Sequence, residues 1–171
     1  MLNTLASLGE FLGGLAVIGG VIFAVIQIRH YRQQRRDAAA LTLMQTLQSR
    51  PFMVSFRLLG SVRDGITAPE LRAQGAEYEE AAIAMVSIYE TIGLAVYRDI
   101  AHFDLVRELT GGVILAMWRK LAIWAEELRR ERSHERYAEW FQWLAERIEE
   151  HEAREATLPA HKKLATWEPR H

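Results

Sequence analysis

Glu90 is the residue best placed to do chemistry in this chain. On a helix it shares a stripe with Val86, Gly93 and Tyr97, beside the apolar face that carries Ile88 and Ile92. A carboxylate there is either exposed at the rim of the stripe or buried and paired. Arg98, Arg107 and Arg119 are its candidate partners, and a structural ion pair is expected ahead of an active-site acid. Glu10 is the second candidate, because it opens a long apolar run. If the helix begins near Leu8, Glu10 is an early-turn carboxylate that complements the helix dipole. If Leu2 to Gly9 continues the helix outward, Glu10 becomes an intramembrane carboxylate that faces a partner or a water path. The histidines offer less. His102 lies two residues before Asp104, while His134 and His151 each precede a glutamate. None has the His-Glu-x-x-His spacing that puts two ligands on one helix face, so no metal site is expected.

Other chemistries are excluded by what the sequence lacks. There is no cysteine, which removes disulfides, thiolate catalysis and cysteine-based zinc sites. No glycine-rich nucleotide fingerprint or P-loop occurs, and no serine sits in a Gly-x-Ser-x-Gly elbow. No cofactor and no catalytic residue is expected. Residues 37–171 hold 17 Lys and Arg against 21 Asp and Glu. So acidic a body argues against nucleic acid as a partner, since duplex binding rests on phosphate neutralisation.

The element that positions Glu10 is the N-terminal run. From Phe11 to Ile28, 18 consecutive residues carry no charge, and 11 of them are Leu, Ile, Val or Phe. As a helix this run is roughly 27 Å long, close to the ~30 Å hydrocarbon core. Its large apolar residues favour insertion by roughly 3–6 kcal/mol. A cleaved signal peptide needs a basic segment before the run. Here Arg29, Arg32, Arg35 and Arg36 follow it instead, so a retained anchor is expected. Those arginines hold their flank in the cytoplasm and can rest on anionic lipid headgroups. The expected placement is a membrane crossed once, with the N-terminus outside and residues 29–171 in the cytoplasm. Gly9, Gly13, Ala16, Gly20 and Ala24 recur every three or four residues, and such a small-residue stripe lets spans approach and self-associate.

Beyond the arginines the chain reads as all-α, a cytoplasmic antiparallel helical bundle continuing from the span. The first helix is expected to end near Pro51, and Phe52 to Val62 forms a short helix. Gly65 pivots a turn, and Thr67 with Glu70 makes a capping box. Tyr78 to Ile100 is the next helix. Asp104 to Thr110 is then a short helix that "TGG" separates from Gly112 to Arg132. Ser133 is the expected N-cap of a last helix, whose core face is Tyr137, Trp140, Phe141, Leu144 and Ile148. Trp118, Trp124 and Trp140 belong to the core, whereas Trp143 and Trp167 fall off the stripe and suit a subunit contact or the membrane surface. The parts are thus an anchor with its basic patch over 1–36, a bundle over 37–155 and an extended tail over 156–171.

Two stretches, "LGEFLGGLAVIGGVIFAVIQIR" and "YETIGLAVYRDI…FDLVRELTGGVILAMW", together resemble an uncharacterised bacterial family of small membrane-anchored helical proteins. The residues that carry the resemblance are Gly9, Glu10, Gln27, Arg29, Glu90, Gly93 and Trp118. It implies a single-span α-helical protein of the bacterial inner membrane and supplies no activity. The expected function is that of a non-enzymatic, self-associating scaffold or accessory subunit of a larger membrane complex. An ion- or proton-conducting assembly lined by Glu10 is the second reading, and a membrane-bound enzyme using Glu90 the third.

Overall fold

The computed structural model describes residues 2–154 and 160–168, without the side chains of residues 2–16, 32–37, 39 and 40. The helices are α1 (Leu2–Leu47), α2 (Arg50–Gly60), α3 (Ala68–Gln74), α4 (Ala76–Tyr97), α5 (Phe103–Glu131), α6 (Glu139–Arg154) and a single turn, α7 (Ala160–Lys163). No strand occurs among the described residues. The chain divides into two compact units, residues 1–42 and 43–171. The first is the larger part of α1. The second is an all-α bundle.

Local chemistry accounts for the bundle's first turns. Ser49 accepts from the Phe52 amide with Pro51 in the opening turn of α2, where its missing N–H costs nothing. Gly65 turns the chain with φ 66°, a left-handed conformation open to glycine. Thr67 and Glu70 form the capping box of α3. The Glu70 carboxylate also pairs with Arg63.

At the centre stands α4, whose Ala81, Ala82, Met85, Val86, Tyr89, Ile92 and Gly93 are buried. Among the described residues it is the one helix long and apolar enough to cross a membrane. Its apolar length serves the core, because α2, α3, α5 and α6 all pack on it. α5 and α6 run antiparallel. Phe103 meets His151 near one end, Trp118 meets Phe141 further along, and Trp124 meets Tyr137 beyond that.

Three local expectations give way. "TGG" does not break a helix: α5 runs unbroken through it. Thr110 is buried with its hydroxyl 3.3 Å from that of Tyr89. A Cβ on Gly111 would lie in ordinary contact with Arg107 Cγ at 3.4 Å and Ile148 Cγ2 at 3.5 Å. Ser133 is not an N-cap. It lies at φ 49° in the turn after α5, with a second left-handed residue, Ala138 (φ 59°), just before α6 starts at Glu139. In the tail, residues 155–159 and 169–171 lie outside the described residues. Within the part described, Ala160–Lys163 is helical rather than extended.

Candidate functional site

The apolar run of α1 is unlike anything in the bundle. Val17, Ile18, Val21, Ile22, Phe23, Val25, Ile26 and Ile28 are exposed by 47 to 67 %. At about 100° per residue these side chains spread round more than half of the helix circumference, and Gly20, Ala24 and Gln27 occupy the remainder. A Cβ on Gly19 or Gly20 would meet nothing within 4 Å. A helix that is apolar nearly all round is one that needs an apolar environment. Arg29 is exposed at the end of the run. Gly9, Glu10, Gly13, Ala16, Arg32, Arg35 and Arg36 lie on the same helix, but their side chains fall outside the described residues.

Glu90 does not pair with Arg98, Arg107 or Arg119. Its Oε1 accepts the Phe141 amide at 2.8 Å, in the first turn of α6, where backbone N–H groups lack helical acceptors. Arg107 instead lies 3.7 Å from both Asp104 and Glu108. Burial pushes the Glu90 carboxyl above its ordinary range, opposed by the amides of Phe141 and Trp140. One turn further along α4, a Cβ on Gly93 would come within 2.8 Å of the Trp140 carbonyl carbon and closer still to its oxygen. From α5, Trp118 sets its ring edge-to-face on Phe141, with centroids 5.1 Å apart. Thus Glu90, Gly93 and Trp118, all singled out by the family resemblance, converge on two residues, Trp140 and Phe141. Glu127 makes a second cap of this kind, accepting the Ala68 amide at the start of α3.

A family model described as a domain of unknown function, DUF4760, matches residues 14–148, well over half of the chain. The chain belongs to the DUF4760 family. The match takes in most of the apolar run of α1 and the bundle as far as Ile148, and it begins after Gly9 and Glu10. No curated protein and no solved structure matches the chain. What its DUF4760 membership adds is therefore kinship, with no activity attached.

The remaining candidates are quickly placed. His102 lies 3.8 Å from Asp104 at the start of α5, and both are about half exposed. His151 is half-buried against Phe103. Among the described residues no group of three potential ligands could hold a metal ion. Trp124 is fully buried, Trp118 and Trp143 pack partly against the core, and Trp167 is 66 % exposed. Glu126 pairs with Arg129 at 3.1 Å, rather than with Arg130 as its sequence spacing suggests. Sequence reasoning identified Glu90 but not its partner, because nothing near residue 90 marks an amide 51 positions away.

The Glu90 cap makes a prediction with a definite sign. A carboxyl whose pKa is raised on folding contributes stability below its ordinary pKa, and loses it as pH rises through the folded value. Glu70, held down to about 2 mainly by Arg63, behaves oppositely, as do Glu131 beside Arg72 and Glu139 beside Arg136. Their contribution is present above the ordinary carboxyl range and is lost on acidification. Glu90→Gln keeps an acceptor for the Phe141 amide without the charge. Its stability relative to the parent is expected to improve from pH 4 to pH 7. Glu90→Ala leaves that amide unpaired and should cost about 1–2 kcal/mol at neutral pH. Thermal unfolding across that pH range checks both.

Proposed function

We propose that this DUF4760 protein is a non-enzymatic membrane anchor and scaffold, crossing a bacterial inner membrane once and self-associating through its span. The observation that carries the proposal is the exposure of the large apolar side chains over Val17–Ile28. In water such a surface is an aggregation hazard, and in lipid it is ordinary. In this reading Arg29, Arg32, Arg35 and Arg36 sit among anionic headgroups on the cytoplasmic side. The bundle then faces the cytoplasm and is presented to other members of a membrane complex. Glu90 has a structural duty that uses its carboxylate, which favours a scaffold over an enzyme built on that residue.

Self-association is proposed to run along Gly9, Gly13, Ala16, Gly20 and Ala24. Gly20 offers a test, because among the described residues a Cβ there meets nothing within 4 Å. Gly20→Ile therefore adds bulk to the small-residue stripe without a clash against the described residues, and isoleucine favours both helix and insertion over glycine. Cross-linking in native membranes is expected to give oligomers for the parent and mostly monomers for Gly20→Ile. Equal yields would remove the self-association claim and leave the anchor standing.

A further inference from the structure

An open groove of about 630 Å3, not used by the reading above, lies beside the α4–α6 contact. Tyr97, Phe103 and Trp143 wall it, and Arg147, Glu150 and Arg154 edge it. Tyr97 stays 57 % exposed although its ring packs on Trp140 and Trp143, with centroids 4.7 and 5.9 Å away. Phe103 and Trp143 lean against the core. The rim is cationic. Arg147 donates to Glu150 at 2.6 Å, and Arg154 lies 3.7 Å from the other oxygen of that carboxylate. One carboxylate thus serves two guanidiniums, and a positive charge is left over. That excess stands out on a body where residues 64–171 hold 14 Lys and Arg against 20 Asp and Glu.

We infer that this groove binds an amphipathic anion, its apolar or aromatic body on the Tyr97–Phe103–Trp143 wall and its carboxylate or phosphate head on Arg147 and Arg154. The volume lies within the usual range for small-molecule sites, about 300–1,000 Å3. Guanidinium groups match both head types through paired N–H donors. A neutral ligand gains only the aromatic wall, and a cation meets repulsion at the rim. A soluble aromatic acid and a membrane-derived acyl anion share this chemistry. The inference does not depend on the scaffold reading.

The test uses the full chain in a neutral maltoside detergent, with equilibrium dialysis of 2-naphthoate, 2-naphthyl phosphate and uncharged 2-naphthamide against protein and against empty micelles. Both anions are expected to saturate at one per chain and to bind roughly tenfold or more tightly than the amide. Arg147→Ala with Arg154→Ala should abolish that difference and leave the amide unchanged, with circular dichroism confirming the fold. Should the double variant fail to fold, the anion-to-amide ratio in the parent decides alone. Native mass spectrometry separates the sources. An acyl anion carried out of the membrane by the parent and lost from the double variant marks a lipid source, and an empty groove that takes up naphthyl phosphate marks a soluble one. Anions that bind no better than the amide, or whose binding ignores the loss of both arginines, overturn the inference. So does saturable binding by an acidic peptide alone.

Discussion

Gly93→Ala is expected to lower the stability of the bundle by about 3 kcal/mol or more. The added methyl would press on the backbone of Trp140, well inside contact distance of its carbonyl. A flexible side chain can swing aside, but a helix backbone moves only as a body. Moving the start of α6 away from α4 also draws the Phe141 amide off Glu90, so the substitution disturbs packing and cap together. Against a typical total of about 5–15 kcal/mol, such a loss removes a large part of the stability. The melting temperature should fall by roughly 10–20 °C. Gly112→Ala is the matched comparison. It too lies inside a helix, but its new Cβ meets nothing within 4 Å. There alanine should raise stability by about 0.5–1 kcal/mol through helix propensity. Opposite signs for the same chemical change would locate the effect in the α4–α6 contact. Similar effects at the two sites would contradict it.

The second large effect is expected in α1. Ile22→Arg together with Phe23→Arg places two charges near the middle of the apolar run. Each arginine costs about 2.5–3.5 kcal/mol at a helix centre, and each replaced side chain forfeits a few tenths more. The pair therefore costs about 5–8 kcal/mol, more than the roughly 3–6 kcal/mol that the large apolar residues of the run supply. The double variant is expected to leave the membrane fraction while its bundle keeps its helical signal, since both residues belong to the other compact unit. Fractionation followed by circular dichroism of the soluble material reads both outcomes.

Much of the architecture was legible in the sequence because it is written locally. The capping box of Thr67 and Glu70 needs only four residues, and the left-handed turn at Gly65 needs one. The stripe of Tyr137, Trp140, Phe141, Leu144 and Ile148 announces a buried helical face; Phe141, Leu144 and Ile148 are fully buried, whereas Tyr137 and Trp140 stay partly exposed. What escaped was written across the chain. Glu90 was visible as an unusual carboxylate, but its partner is a backbone amide on another helix. Arginine partners were the natural guess because side-chain charges can be read from a sequence and unsatisfied helix ends cannot. The glycines of "TGG" looked like a break for the same reason. Locally they weaken a helix, but α5 runs through them because its buried face, with Val106, Thr110 and Ile114, packs into the core. Ser133 had the right chemistry for a cap, but α6 begins six residues later, where Glu90 of α4 accepts the Phe141 amide.

The surroundings of α1 decide whether the chain is anchored, and the absence of cysteine lets a single introduced thiol report them. Ile22 is 56 % exposed in the lone chain and Met53, on α2, is 53 % exposed, so in water both Ile22→Cys and Met53→Cys would react alike. The decisive measurement is labelling by a water-soluble maleimide in native membranes opened to expose both faces. The membrane-anchored account predicts that Met53→Cys is modified and Ile22→Cys is not until detergent and denaturant are added. Equal labelling of the two thiols before solubilisation would contradict it.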